Sequence, residues 1–328
     1  MFKKMYIRKI LLASFALFIL LLLYLIPSNS SDNELNLKND NIEYVYPNNL
    51  SAIYLLDSYD YVARTLITSC NCEPLDKAKD LLEGLIIDGK KSNIIPNGFR
   101  SIIPSGTEVK NIKLENKVLE IDFSKEFLEV KKEYEEKMIE SLIYTLTSIE
   151  GINKVIISVE GTKLSSLPNS KKLLPTILDK DYGINKTYEL TTTTNIDKYI
   201  TYYVNSYNDN YYYVPVTKYI NKNEQDKIKV IINELSSSYV YETNLMSFLN
   251  VGARLLDYEK EGNTIKLNFN NLLLNDIAES NILEEVIYTV GLSMSDNFNV
   301  EEVVFLVENE EIYKFLSKNT WNKNKSGV

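Results

Sequence analysis

Histidine is absent from all 328 residues, and cysteine occurs only twice, at Cys70 and Cys72. Without histidine there can be no Ser-His-Asp or Cys-His arrangement, no H-E-x-x-H zinc helix and no imidazole base. Two thiols do not fill a structural zinc site by themselves. Their C-x-C spacing reads as loop thiols, unpaired or locally bridged, because a redox pair ordinarily keeps two residues between its sulfurs. Glycine is scarce too, 11 in the chain, and neither a phosphate-loop nor a dinucleotide fingerprint occurs. Basic residues number 36 against 45 acidic, a net charge of −9, so the positive footprint that a phosphate backbone needs is missing. No catalytic, cofactor-binding or metal-binding residue is nominated, and nucleic acid is not an expected partner.

Carboxylates are what remains for chemistry. A hydrolase would need two acids converging about 5–9.5 Å apart in a cleft. Glu126, Glu129, Glu133, Glu135, Glu136 and Glu140 cluster, but Lys125, Lys131, Lys132 and Lys137 are interleaved with them. That pattern predicts a solvated, mixed-charge face.

One long apolar run is present, Ile10 to Ile26, preceded by Lys3, Lys4, Arg8 and Lys9. Its length suits a spanning helix better than a cleaved signal, and Pro27 to Ser31 holds no small-x-small cleavage pattern. The basic flank places residues 1–31 as a cytoplasmic N-terminus and single-pass anchor, with all that follows displayed outside. No cysteine lies near the run, which rules against a lipoprotein.

The remainder is written twice. Gly106-Thr107-Glu108-Val109 and Gly252-Ala253-Arg254-Leu255 lie 146 residues apart, as do the alternating segments ending at Phe123 and Phe269. Asp76 to Lys79 recurs as Asp226 to Lys229, Ile143 to Thr145 as Ile287 to Thr289, and Lys154 to Glu160 as Glu302 to Glu308. Solenoid and propeller repeats run to roughly 20–50 residues, so this period means two copies of a globular unit, each long enough to bury a core of its own. One apparent exception is chemical: Asp122 in the first copy is Asn268 in the second, so an ionisable pair is not duplicated.

Hydrophobic spacing gives the elements. Leu75, Ala78, Leu81, Leu82 and Leu85 fall at helical period, as do Ile139, Leu142, Ile143 and Leu146, with Leu119, Ile121 and Phe123 alternating as a strand between. The second copy repeats this with Ile228, Ile231, Ile232 and Leu235, then Ile265, Leu267 and Phe269, then Leu283, Val286, Ile287, Val290 and Met294. Asn116 and Gly262 sit at equivalent hairpin turns. Aromatic extended pairs open each copy, Ala52 to Leu56 with Tyr61 to Ala63, and Ile200 to Val204 with Tyr211 to Val216. The order is β-β-α-β-β-α-β in each, an α+β fold with helices on one face of a small mixed sheet. Boundaries follow: stalk 32–41, first domain 42–164, linker 165–197, second domain 198–316, tail 317–328. Leu173, Leu174, Ile177 and Leu178 make the linker too apolar for a solvated tether. The tyrosines between Tyr202 and Tyr219 read as strand packing, with an exposed interaction surface as the alternative.

Pro104-Ser105-Gly106-Thr107, Val118 to Phe127, Ile143 to Thr147 and Gly151 to Val155 together resemble the GerMN domain of sporulation and germination proteins. The likeness covers about 42–164 well and 198–312 more loosely, and Leu167 to Ser170 with Gly183 to Lys186 resembles that family's inter-domain segment. The resemblance implies a small α/β sandwich similar to ring-building motifs and a place between mother cell and forespore. There the chain would help assemble or retain a channel complex, with membrane or channel proteins as partners and residues 10–26 replacing the family's lipid anchor. The competing expectation is a cell-wall or ligand-binding module that uses the tyrosine-rich segment.

Overall fold

The computed structural model describes residues 49–222, 226–237, 244–278 and 280–317, all within one compact unit, Asn49–Val328. The anchor (1–31), the stalk (32–41) and most of the tail (317–328) lie outside the described residues. Among the described residues no helix is long and apolar enough to cross a membrane.

The first copy runs β1 (Leu50–Asp57), β2 (Val62–Thr68), α1 (Pro74–Leu85), β3 (Phe99–Arg100), β4 (Val109–Glu115), β5 (Val118–Phe123), α2 (Glu135–Leu146), β6 (Lys154–Val159) and β7 (Thr162–Lys163). After β8 (Thr187–Glu189) in the linker come β9 (Ile196–Tyr207), β10 (Asn210–Asn221), α3 (Lys227–Ser236), β11 (Leu255–Glu261), β12 (Thr264–Phe269), α4 (Glu284–Phe298), β13 (Glu302–Val307) and β14 (Glu310–Leu316). The core order β-β-α-β-β-α-β is present in both copies.

Each copy carries a four-stranded sheet with the same plan, β4-β5-β6-β7 and β11-β12-β13-β14. The middle pair of each is parallel, bridged by the crossover helix α2 or α4. The hairpins turn where the sequence allows positive φ: Asn116 and Lys117 at +50° and +63°, Gly262 at +55°, the backbone that matches strand twist. Even the irregularities repeat, with a register shift between Val109 and Asn111 and another between Leu255 and Asp257. Asp122 and Asn268 turn out to do one job. Asp122 Oδ1 accepts from Gly161 N–H at 2.9 Å and Asn268 Oδ1 from Asn309 N–H at 2.9 Å, each closing the turn after the third strand.

The opening hairpins depart from expectation. They do not join their own copy's mixed sheet; β1-β2 and β9-β10 merge instead into one central sheet, with β2 meeting β10 antiparallel and β3 and β8 added at its margins. The reason is visible in α2, where every residue from Met138 to Leu146 is buried. A helix that is covered all round needs a layer on both sides. It packs between β1 of the central sheet and β6 of its own sheet. Nor does each copy keep a separate core: one contiguous cluster runs from Ile53 to Phe315 through both.

Candidate functional site

The two copies meet through equivalent residues. Arg64 of β2 opposes Tyr213 of β10, and the same antiparallel register sets Ala63 against Val214 and Val62 against Pro215. By hairpin register Ala63 and Val214 are themselves counterparts, since their partners Leu55 and Tyr203 lie at the repeat spacing. The pairing is therefore that of a two-fold dimer, written within one chain. Tyr54 and Tyr202 make the same contacts, each backbone N–H donating at 2.9 Å to a hydroxyl of its crossover helix, Thr145 Oγ1 and Ser293 Oγ. Their phenol oxygens then meet each other at 3.1 Å. Asp57 and its counterpart Asn205 also touch, Asn205 Nδ2 donating to Asp57 Oδ2 at 3.2 Å.

Symmetry ends in the polar groups around this axis. Tyr202 Oη donates to Asp296 Oδ2 at 2.6 Å, and Asp296 pairs with the linker's Lys180. The Lys180 ammonium lies 5.6 Å from the Tyr144 ring centroid, and Tyr144 packs edge-on against Tyr54 at 5.4 Å. Burial pushes the phenols of Tyr54, Tyr144 and Tyr202 up, so all three remain protonated donors. Asp57, fully buried, accepts from the N–H groups of Tyr59 and Tyr61 and from Tyr212 Oη at 2.8 Å. Its oxygens are taken up by structure.

The linker locks the seam. Pro215 has no N–H for the ladder, and the carboxamide of Asn185 occupies the gap: Oδ1 accepts from Val62 N–H at 2.9 Å, while Nδ2 donates to Val62 O at 2.8 Å and Pro215 O at 2.7 Å. Ile184, fully buried, donates its N–H to Thr217 Oγ1 at 2.9 Å and accepts from Thr217 N–H at 2.8 Å. Gly183 takes φ +82°, with Tyr219 Oη only 3.0 Å from where a Cβ would stand. Lys186 reaches Glu136 at 2.8 Å and Glu140 at 3.0 Å, with its ammonium 3.7 Å above the Tyr182 ring.

The acidic run is the solvated face that its composition predicts only in its first part, where Glu129 and Glu133 are exposed. Glu135 and Glu140 are buried. Glu135 accepts from the N–H groups of Asn169 and Ser170 at 2.8 Å each, and Glu140 accepts from Asn185 N–H at 3.0 Å. Burial pushes the Glu140 carboxyl up against the pull of Lys186. Burial also acts on Glu135 and Glu136, but bonds from Ser170 and Asn169 and the ammonium groups of Lys172 and Lys186 hold them below the ordinary range. Nothing in the i, i+4 charge spacing betrays this, because the partners lie 34 to 50 residues away in the linker. Of the linker's apolar residues, Leu174 and Leu178 are buried, whereas Leu173 is 82% and Ile177 47% exposed.

The tyrosine run is largely packing. Tyr202, Tyr203 and Tyr212 are buried, and only Tyr211 in that stretch is more than half exposed. Cys70 and Cys72 are bridged, Cα atoms 5.4 Å apart. No group of three or more Cys, Asp or Glu residues among the described residues has the arrangement to hold a metal ion. One solvent-facing cleft of about 390 Å³ opens on the second copy, lined by Lys229, Asn233, Ser236, Val251, Ala253, Arg254 and Leu255.

Comparison with known proteins agrees with this architecture. The family model described as sporulation and spore germination matches twice, at residues 52–165 and 200–313. The chain is 33% identical over 261 residues to the spore germination protein GerM of Bacillus subtilis strain 168, covering 76% of this chain and 69% of that one. Its backbone matches the solved tandem GerMN domains of the sporulation protein GerM from Bacillus subtilis with a TM-score of 0.71 at 30% identity, over 80% of this chain and 91% of that one. With two family matches spanning most of its length and a seam that joins them into one body, the chain belongs to the sporulation and spore germination family, as a GerM-like protein with tandem GerMN domains.

Proposed function

We infer that this sporulation-family protein acts as a non-enzymatic assembly factor, anchored through residues 10–26 and displayed in the space between mother cell and forespore. There it helps to assemble or retain a channel complex joining the two cells. The observation that carries this reading is the seam itself. Asp57, Glu135, Glu140, Asp296 and the tyrosines around them, the residues from which acid–base chemistry would be built, are consumed in holding the two copies and the linker together. What such a body offers other molecules is surface. The tyrosine-platform version of a cell-wall-binding module is disfavoured by the same burial, since Tyr202, Tyr203 and Tyr212 are inside and only Tyr211 of the run is more than half exposed.

Deletion of the gene tests the reading. Sporulation is expected to arrest after engulfment with channel proteins mislocalised; a deletion strain with normal spore yield and germination would refute it.

A further inference from the structure

The two copies present the same face with opposite chemistry, and the fold supplies the alignment. Glu108 N–H donates to Ser124 Oγ at 2.9 Å in the first copy, and Arg254 N–H donates to Asn270 Oδ1 at 2.9 Å in the second. These residues are therefore counterparts, as are Ser105 and Val251, Glu126 and Leu272, and, one helix over, Glu83 and Asn233. Three carboxylates in the first copy thus become an amide, a guanidinium and an alkyl side chain. The change falls on the cleft between α3 and the turn before β11, where no acidic residue is among the lining residues. Val251 is 72% and Leu272 44% exposed; Leu272 lies over Gly252, its Cδ1 2.7 Å from where a Cβ would stand. The carboxylate of Asp226, at the N-cap of α3, is engaged with its own helix and with Tyr258.

We propose that this cleft docks a segment of another extracytoplasmic protein in which a carboxylate side chain is flanked by apolar ones. The carboxylate fits between Lys229 and Arg254, with Asn233 and Ser236 as further polar partners, and the apolar neighbour covers Val251 and Leu272. Charge-assisted bonds to a guanidinium give such a contact direction, and a buried apolar anchor gives it strength. A second copy of this chain fits poorly, because its matching acidic face would bring Ser105 and carboxylates against Val251 and Leu272. A bilayer fits poorly as well, since the two cations line a concavity. The proposal rests on the assembly role inferred above and names the surface that performs it.

The test is site-specific photo-crosslinking from position 251 of the full-length chain in sporulating cells, with position 105 as control. A protein adduct from 251 and none from 105 is expected, and the attached peptide should carry Asp or Glu within a helical turn of the crosslink. Arg254→Glu should cut the adduct at least about tenfold, and so should Val251→Ser with Leu272→Glu. The latter pair introduces the residues that the first copy already carries, so the unfolding midpoint should hold, and circular dichroism of each variant checks that it does. An adduct with lipid, with the chain itself or equally from position 105, or one indifferent to Arg254→Glu, overturns the docking site. Normal sporulation with Arg254→Glu where gene deletion blocks it would also overturn the site while leaving the assembly role standing. Normal sporulation after deletion would remove the assembly role instead.

Discussion

Pro215 cannot donate to β2, and the side chain of Asn185 meets that deficit with three bonds at the point where the two copies join. Asn185→Ala would leave a buried N–H and two carbonyls with no partner, each costing on the order of 1–3 kcal/mol. A loss of about 2–4 kcal/mol is therefore expected in urea unfolding of residues 49–317. Glu135 makes a prediction about pH. Its folded carboxyl is held below its ordinary value, so the stability it contributes is present above that ordinary value and is lost as pH falls through the folded one. Glu136 acts in the same direction, and Glu140, pushed up, acts in the other. Stability should fall on acidification below about pH 4.5, and Glu135→Gln should flatten that limb; a variant with an unchanged acid limb would remove Glu135 from the account. None of these residue roles is legible locally. Composition marks Glu135 and Glu140 as surface, and Asn185 stands out only through the family resemblance of Gly183 to Lys186.

At the level of elements the sequence is far more informative. Alternation at Leu119, Ile121 and Phe123 and the turn at Asn116 identify the β4-β5 hairpin, because period and positive φ are local constraints. The linker is legible by halves. Leu174 bonds back to Ser165, just after β7, and Leu178 pairs with Val155 at the edge of β6, turning Leu174 and Leu178 in and leaving Leu173 and Ile177 out. In the second copy the same edge is closed by β14, where Phe315 opposes Val303 as Leu178 opposes Val155. Phe315 explains Gly291 of α4: a Cβ there would stand 2.5 Å from the ring. Alanine would favour the helix by roughly 1 kcal/mol, but overpacking a closed core costs typically 1–3 kcal/mol. Gly291→Ala should therefore be neutral to destabilising, by up to about 2 kcal/mol, in denaturant titration, and a clearly stabilised variant would mean that Phe315 moves freely aside.

For the whole molecule, the repeat suggests two domains, yet the central sheet and the hydrophobic cluster are shared between them. Shared cores unfold together, so calorimetry should give a single transition for residues 49–317 with van't Hoff and calorimetric enthalpies in agreement. Two resolved transitions would mean that the seam is weaker than its hydrogen bonds indicate. The second copy expressed alone would expose the β10 edge and the apolar faces that β2 and α2 cover, and it should self-associate or precipitate.

By itself the chain determined its duplication, the type and order of its elements, its family and its lack of histidine chemistry, because periodicity, turn residues and motif spacing are properties of neighbouring positions. Only the tertiary structure decided that the opening hairpins fuse into one sheet, that Tyr54 meets Tyr202, and that acids in a lysine-rich run are buried clamps. Each of those facts depends on partners dozens to well over a hundred residues away. Pairing at that distance is set by which surfaces can exclude water together, and no local pattern of residues encodes it.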